Sequence, residues 1–128
     1  MSKPVRITLS VIAGVVLWGV LWNLGSMLTM SLFPDQVQPE QPIASVGILI
    51  GLIVYSVILS VGAGFSTAKI GKEHARSAVH ILAGVQFAIG AFFEYTYWEL
   101  MPAWYHIIFV ALVIPFTVIG GNKAGMDE

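Results

Sequence analysis

Glu94 is the residue of this chain best placed to do chemistry. It follows a run of seventeen residues, Ser77–Phe93, in which only His80 and Gln86 are strongly polar. A carboxyl group in such a stretch is costly to hold in an apolar medium, so it faces a partner, water or a ligand. At ~1.5 Å of helical rise per residue, Glu94 lies ~26 Å along its stretch from the basic end. Asn23 lies ~24 Å up the first apolar stretch and His106 opens the last one, so all three share a level. A Glu–His pair in low dielectric titrates as one coupled unit and can hold or relay a proton. The plainer alternative has Glu94 and His106 facing headgroups and water. His80 shares a helical face with Glu94, but ~21 Å separates them, too far for a dyad. One turn from Arg76, His80 reads as a hydrogen-bonded residue near the basic cluster.

Two more polar residues, Gln86 and Tyr55, fall near the middle of their stretches and are expected to bond each other across helices. Lining a solute path is the sharper alternative. Trp22, Tyr95, Tyr97, Trp98, Trp104 and Tyr105 gather at the Glu94 end, as an interfacial aromatic belt would. A ligand cage of Trp22, Trp98 and Trp104 is the competing reading. The candidate ligand-binding set is therefore Glu94, His106, Asn23, Trp98 and Trp104. Gly47 and Gly51 form a GxxxG pair, and Ser56, Ser60, Gly64 and Ala68 continue it at four-residue spacing. Such rows let helix backbones approach closely, which makes the second stretch the central packing helix. The alternative is a narrow pore lined by these small residues.

Other chemistries find no residues to carry them. There is no cysteine, and HExxH, GxSxG, P-loop and GxGxxG patterns are missing, so no catalytic residue, metal site or cofactor is expected. A net charge of −1 offers no basic field to a nucleic acid.

The elements that must position these residues follow from composition. The chain is 57% hydrophobic and 10% charged, against about 45–50% and about 25% in soluble domains. That points to an integral membrane protein. Apolar stretches cover about residues 7–32, 43–68, 77–98 and 103–120, each near the ~20 residues that cross a bilayer. None alternates with the period of two that a strand requires. The expected fold is all-α: a single domain over 1–128, an up-down-up-down four-helix bundle. Pro42 suits a first helical turn. Gly71 and Gly120-Gly121 suit helix ends. Pro115 predicts a kink near Ala111–Val113.

The basic residues Lys3, Arg6, Lys69, Lys72, Arg76 and Lys123 all fall on one side of such a bundle. The other loops hold Asp35, Glu40 and Glu99, so both termini are expected to be cytoplasmic, in a plasma (inner) membrane. The first stretch is too long for a signal-peptide core and reads as a retained helix. FPDQVQPEQP reads as an extended exposed loop. Ala13-Gly14-Val15 echoes Ala83-Gly84-Val85, and Lys69-Ile70-Gly71 echoes Lys123-Ala124-Gly125, as a duplicated hairpin would.

Over nearly its whole length the chain is similar to small bacterial four-helix membrane proteins of unknown function. The similarity rests on the early AGV, on GAGFSTAKIGKEHARSAVHILAG and on VIPFTVIGGNKAG. It implies a four-helix membrane fold and no particular activity or functional residue. The chain does not resemble the four-helix multidrug transporters, whose first helix carries an acid, the phenylalanine-rich fluoride channels or the cysteine-paired thiol oxidases. The expected function is that of a non-enzymatic structural or accessory protein. It would work in the lipid bilayer through helix association, as a homo-oligomer or with other membrane subunits. The alternative is a small channel or transporter with an outer-facing site around Glu94.

Overall fold

The computed structural model describes residues 2–35 and 45–126. They form α1 (Lys3–Leu32), α2 (Val46–Gly71), α3 (Ala75–Thr96) and α4 (Ala103–Lys123), with 3-10 turns at Lys72–His74 and Trp98–Leu100. No strand occurs among the described residues. The helical stretches Lys3–Leu32, Val46–Thr96 and Ala103–Lys123 are long and apolar enough to cross a membrane. The middle stretch folds back on itself at Lys72–His74. Gly14 of α1 faces both Thr67 and Leu82, residues that a straight helix would hold ~22 Å apart.

Helix boundaries depart from the sequence expectation where packing overrides local signals. α1 begins at Lys3 rather than Ile7, because Pro4 sits in the first turn, where a missing N–H costs nothing. α2 begins at Val46 behind Ser45, whose side chain accepts from the Ile48 N–H at 3.3 Å. Pro42, Ile43 and Glu40, with most of the first loop, lie outside the described residues. Gly71 does not cap α2: it is the last helical residue, buried near Ser10 and Ala78. The left-handed position falls on exposed Lys72, at φ 53°. Beside it, exposed Glu73 is held below the ordinary carboxylate pKa, first by a backbone hydrogen bond at its own position. α3 starts directly from this turn at Ala75, two residues before the expected Ser77. Gly120-Gly121 likewise do not end α4, which continues through Pro115 to Lys123. The glycine with positive φ is Gly125, at 88°.

That glycine pair is used for packing instead. A Cβ on Gly120 would collide with the Val61 carbonyl oxygen and one on Gly64 with the Thr117 carbonyl oxygen, so the α2 and α4 backbones touch. α2 packs against α1, α3 and α4 and is the central helix, as its small-residue row predicted. The GxxxG pair at its start is not part of this contact. Gly47 and Gly51 are exposed and line a groove with Gly25 and Leu28 of α1 and Phe33 just after it; among the described residues a Cβ on Gly51 meets nothing within 4 Å and one on Gly47 only Ser45. GxxxG marks a helix face open to close approach, but which neighbour takes it depends on the other helices.

α1 and α2 run in opposite directions. Arg6 donates to the Ile70 carbonyl at 2.9 Å, Thr67 to Ser10 at 2.8 Å and the Tyr55 hydroxyl to Leu21 at 2.5 Å. The expected Tyr55–Gln86 bond is therefore not made. Gln86 Oε1 instead accepts from the Thr117 hydroxyl of α4 at 2.6 Å. Both residues lie near the middle of their helices as expected, but they point to different neighbours, a property that depth along a helix does not specify. The two glycines of the internal echo have different surroundings: Gly14 is buried against Thr67 and Leu82, whereas Gly84 is exposed with nothing within 4 Å among the described residues. Trp18, Leu49, Leu59, Leu82, Phe109 and Val113 form the main core. The opposite face of α1 exposes Val5, Leu9, Ile12, Val16 and Val20, a surface that suits hydrocarbon better than water.

Candidate functional site

The ends of α3 and α4 away from the basic turn are joined by a short connection, Tyr97–Pro102, that includes one 3-10 turn. Its brevity holds the last turn of α3 beside the first turn of α4. Glu94 and His106 face each other there, both buried, with 8% and 2% of their surface exposed. Glu94 Oε2 pairs with His106 Nδ1. The other ring nitrogen, Nε2, lies 3.0 Å from the carbonyl oxygen of Trp98. A carbonyl only accepts, so Nε2 carries a hydrogen and Nδ1 is turned to the carboxyl group. A hydrogen bond between Nδ1 and Oε2 needs one further proton, on either partner, and with it the pair is neutral overall.

Aromatic rings fix the imidazole. The Trp98 ring stacks on His106 at 4.7 Å between centroids and 16° between planes. The buried Tyr105 ring meets it edge-on at 5.8 Å. Alongside lies a groove of about 380 Å³ between α3 and α4. Phe87, Ala91, Ile107 and Val110 wall it, Tyr95 and Trp98 stand at its rim, and Glu94 and His106 form its polar head. Several of these walls are exposed residues on the flank of the helices, with Phe87 at 42% and Ile107 at 63%. The groove therefore opens sideways rather than along the helix axes.

The five predicted ligand-binding residues do not all assemble. Glu94, His106 and Trp98 come together. Asn23 does not join them: it is exposed, and its side-chain amide donates to the Gly19 carbonyl of its own helix at 2.8 Å. Trp104 turns away to meet Tyr105 at 6.4 Å. No cage of Trp22, Trp98 and Trp104 forms, because Trp22 packs on Tyr55 and Phe109. His80 is exposed and bonds through Nδ1 with the Arg76 carbonyl at 2.7 Å. The sequence reading missed the Trp98 carbonyl, since a backbone acceptor has no residue signature. It also missed the groove walls, which are ordinary apolar residues.

A second polar level lies deeper, around the Gln86–Thr117 bond. Gln86 Nε2, Ser60 Oγ and Trp18 Nε1 are buried and have no hydrogen-bond partner among the described residues. Gly64, another of the predicted packing residues, closes α2 onto α4 one turn from Ser60. No group of three or more His, Asp or Glu is close enough to hold a metal ion among the described residues.

Comparison with family models, curated proteins and solved structures gives no match to this chain.

Proposed function

We propose that this chain is a small non-enzymatic membrane protein that binds an amphiphilic molecule from the bilayer in the groove between α3 and α4. The four helices are read as an up-down-up-down bundle with both termini cytoplasmic, following the bias of all six basic residues to one side. The groove then lies in the outer leaflet, and its polar head sits near the headgroups. One observation carries the reading: a buried Glu94–His106 pair heads an apolar groove that opens on the flank of the helices. Intramembrane ionisable residues mark functional positions by default, and apolar walls converging on a few fixed polar atoms are the anatomy of a ligand site. Access from the side supports a ligand that arrives through the membrane. The close α2–α4 backbone contact favours this over a pore through the bundle.

Photolabelling in bilayers tests the reading. A long-chain alcohol carrying a diazirine along its chain should mark Phe87, Ala91 and Val110, and Ala91→Phe should abolish those adducts. Uniform labelling of all outward helix faces, unchanged in Ala91→Phe, would reject it.

A second reading, association with a second copy or other membrane subunits, is supported by the exposure of Gly47 and Gly51. An open GxxxG face is available to a neighbouring helix. Gly51→Cys chains in bilayers should then cross-link to one another, whereas Gly84→Cys chains, also at an exposed glycine, should not. Equal yields at both positions would sink this reading.

A further inference from the structure

The chemistry of the groove specifies its guest more closely than an apolar lining alone would. We infer that the α3–α4 groove binds a lipophilic organic cation, and that each cation bound displaces the proton shared by Glu94 and His106. This inference rests on the groove being a ligand site and names the class of ligand.

Charge balance comes first. With its shared proton the pair is neutral and tolerated at a buried position. Without it, the carboxylate leaves one uncompensated negative charge among apolar walls, which is costly. A cation beside Glu94 restores neutrality, so the site is neutral with a proton or with a cation and charged with neither. Displacement follows from that exclusion. The proton leaves the Nδ1–Oε2 hydrogen bond for water, and no covalent bond to the guest forms. His106 remains neutral, with Nε2–H still on the Trp98 carbonyl.

Shape and lining agree with that guest. Phe87, Tyr95 and Trp98 are among the residues that line the groove, and aromatic faces attract cations, most strongly where water is excluded. The remaining walls are aliphatic, so a small hydrated metal ion would lose its water without replacement ligands. A cation whose charge is spread over an apolar body loses little. The groove's 380 Å³ admits an organic ion of that type.

Among the described residues, α1 and α2 place no charge at the level of the pair, and Asp35 follows the end of α1, exposed. Tyr105 on α4 and Tyr95 on α3 are the other titratable groups against it. Glu99 follows on the 3-10 turn and is exposed. The charged residues of α1 and α2 among the described residues, Lys3, Arg6 and Lys69, stand at the basic end.

The experiment uses the full chain in phosphatidylcholine nanodiscs with tetraphenylphosphonium as the probe. Binding is measured by calorimetry in buffers of different ionisation enthalpy, which counts protons released. The expected result is one saturable site per chain and about one proton released per cation. Apparent affinity should fall about tenfold for each pH unit of acidification while the pair holds its proton. Glu94→Gln keeps a donor for His106 Nδ1 and should therefore fold. It should weaken binding at least tenfold and abolish proton release. Ala91→Phe fills the groove while keeping both Glu94 and His106 in the chain, and should also lose binding. Equal binding by wild type and Glu94→Gln, binding without proton release, or no saturable binding would each overturn the inference. If the neutral diazirine alcohol still labels the groove in that case, only the cationic guest is wrong. If that labelling fails too, the groove is not a ligand site.

Discussion

Gly120→Ala should destabilise the folded chain by about 2–3 kcal/mol, and Gly64→Ala by a similar amount, although each adds one methyl group. The ordinary expectation for a glycine in a helix is the reverse, since alanine has the higher helix propensity by about 1 kcal/mol. Packing decides the sign here. A Cβ on Gly120 lands on the Val61 carbonyl oxygen and within 2.8 Å of its carbon, and one on Gly64 lands on the Thr117 carbonyl oxygen. These obstacles are backbone atoms, which cannot rotate aside as a side chain can. α2 and α4 must separate, and the contacts that hold them must loosen over several turns. Gly62→Ala is the control: nothing lies within 4 Å of its Cβ position, so its effect should stay within about 0.5 kcal/mol. Both contacts lie in one interface, so the double variant should cost less than the sum of the singles. Unfolding by SDS in mixed micelles, read by helicity, measures all four variants.

The same glycines mark where sequence reasoning reaches its limit. A Gly-Gly pair near the end of an apolar stretch reads as a helix stop, yet Gly120 and Gly121 lie inside α4, against α2 and Val79. The helix-end signal and the close-packing signal are the same residue type, and only a neighbouring backbone separates them. Gly47 and Gly51 are the converse, a packing motif on which no described helix packs closely. Composition and apolar run length did place the helices, because they depend on the surrounding medium and not on particular neighbours. Asn23 shows the remaining gap. Rise per residue puts it level with Glu94, but its direction around the helix is set by how α1 docks, and that turns it outward. Glu94 and His106 are legible as a pair because a short connection fixes both depth and direction. The Trp98 carbonyl that orients the imidazole is not, since every residue has one.

The second large effect is expected at that pair. Glu94→Leu and His106→Leu should each destabilise the chain by about 2–3 kcal/mol. Removing the carboxyl group leaves His106 Nδ1 buried without a partner. Removing the imidazole leaves a buried carboxyl group among apolar walls and the Trp98 carbonyl without its donor. Replacing both with leucine removes the shared polar bond as a unit and should cost much less than the two losses together. Ordinary interhelical hydrogen bonds within membranes couple by about 0.6 kcal/mol on average. A proton shared between an acid and a base away from water should exceed that, because low dielectric strengthens the bond and raises the cost of leaving either partner alone.

The coupling energy between Glu94 and His106, from a double-mutant cycle in the full chain, therefore tests the account at its centre. Four unfolding curves, wild type, Glu94→Leu, His106→Leu and the double variant, give it without reference to any ligand. A coupling of at least about 1.5 kcal/mol is the predicted result. Additive losses, with a coupling below about 0.5 kcal/mol, would contradict it and place Glu94 and His106 separately at the water-facing surface.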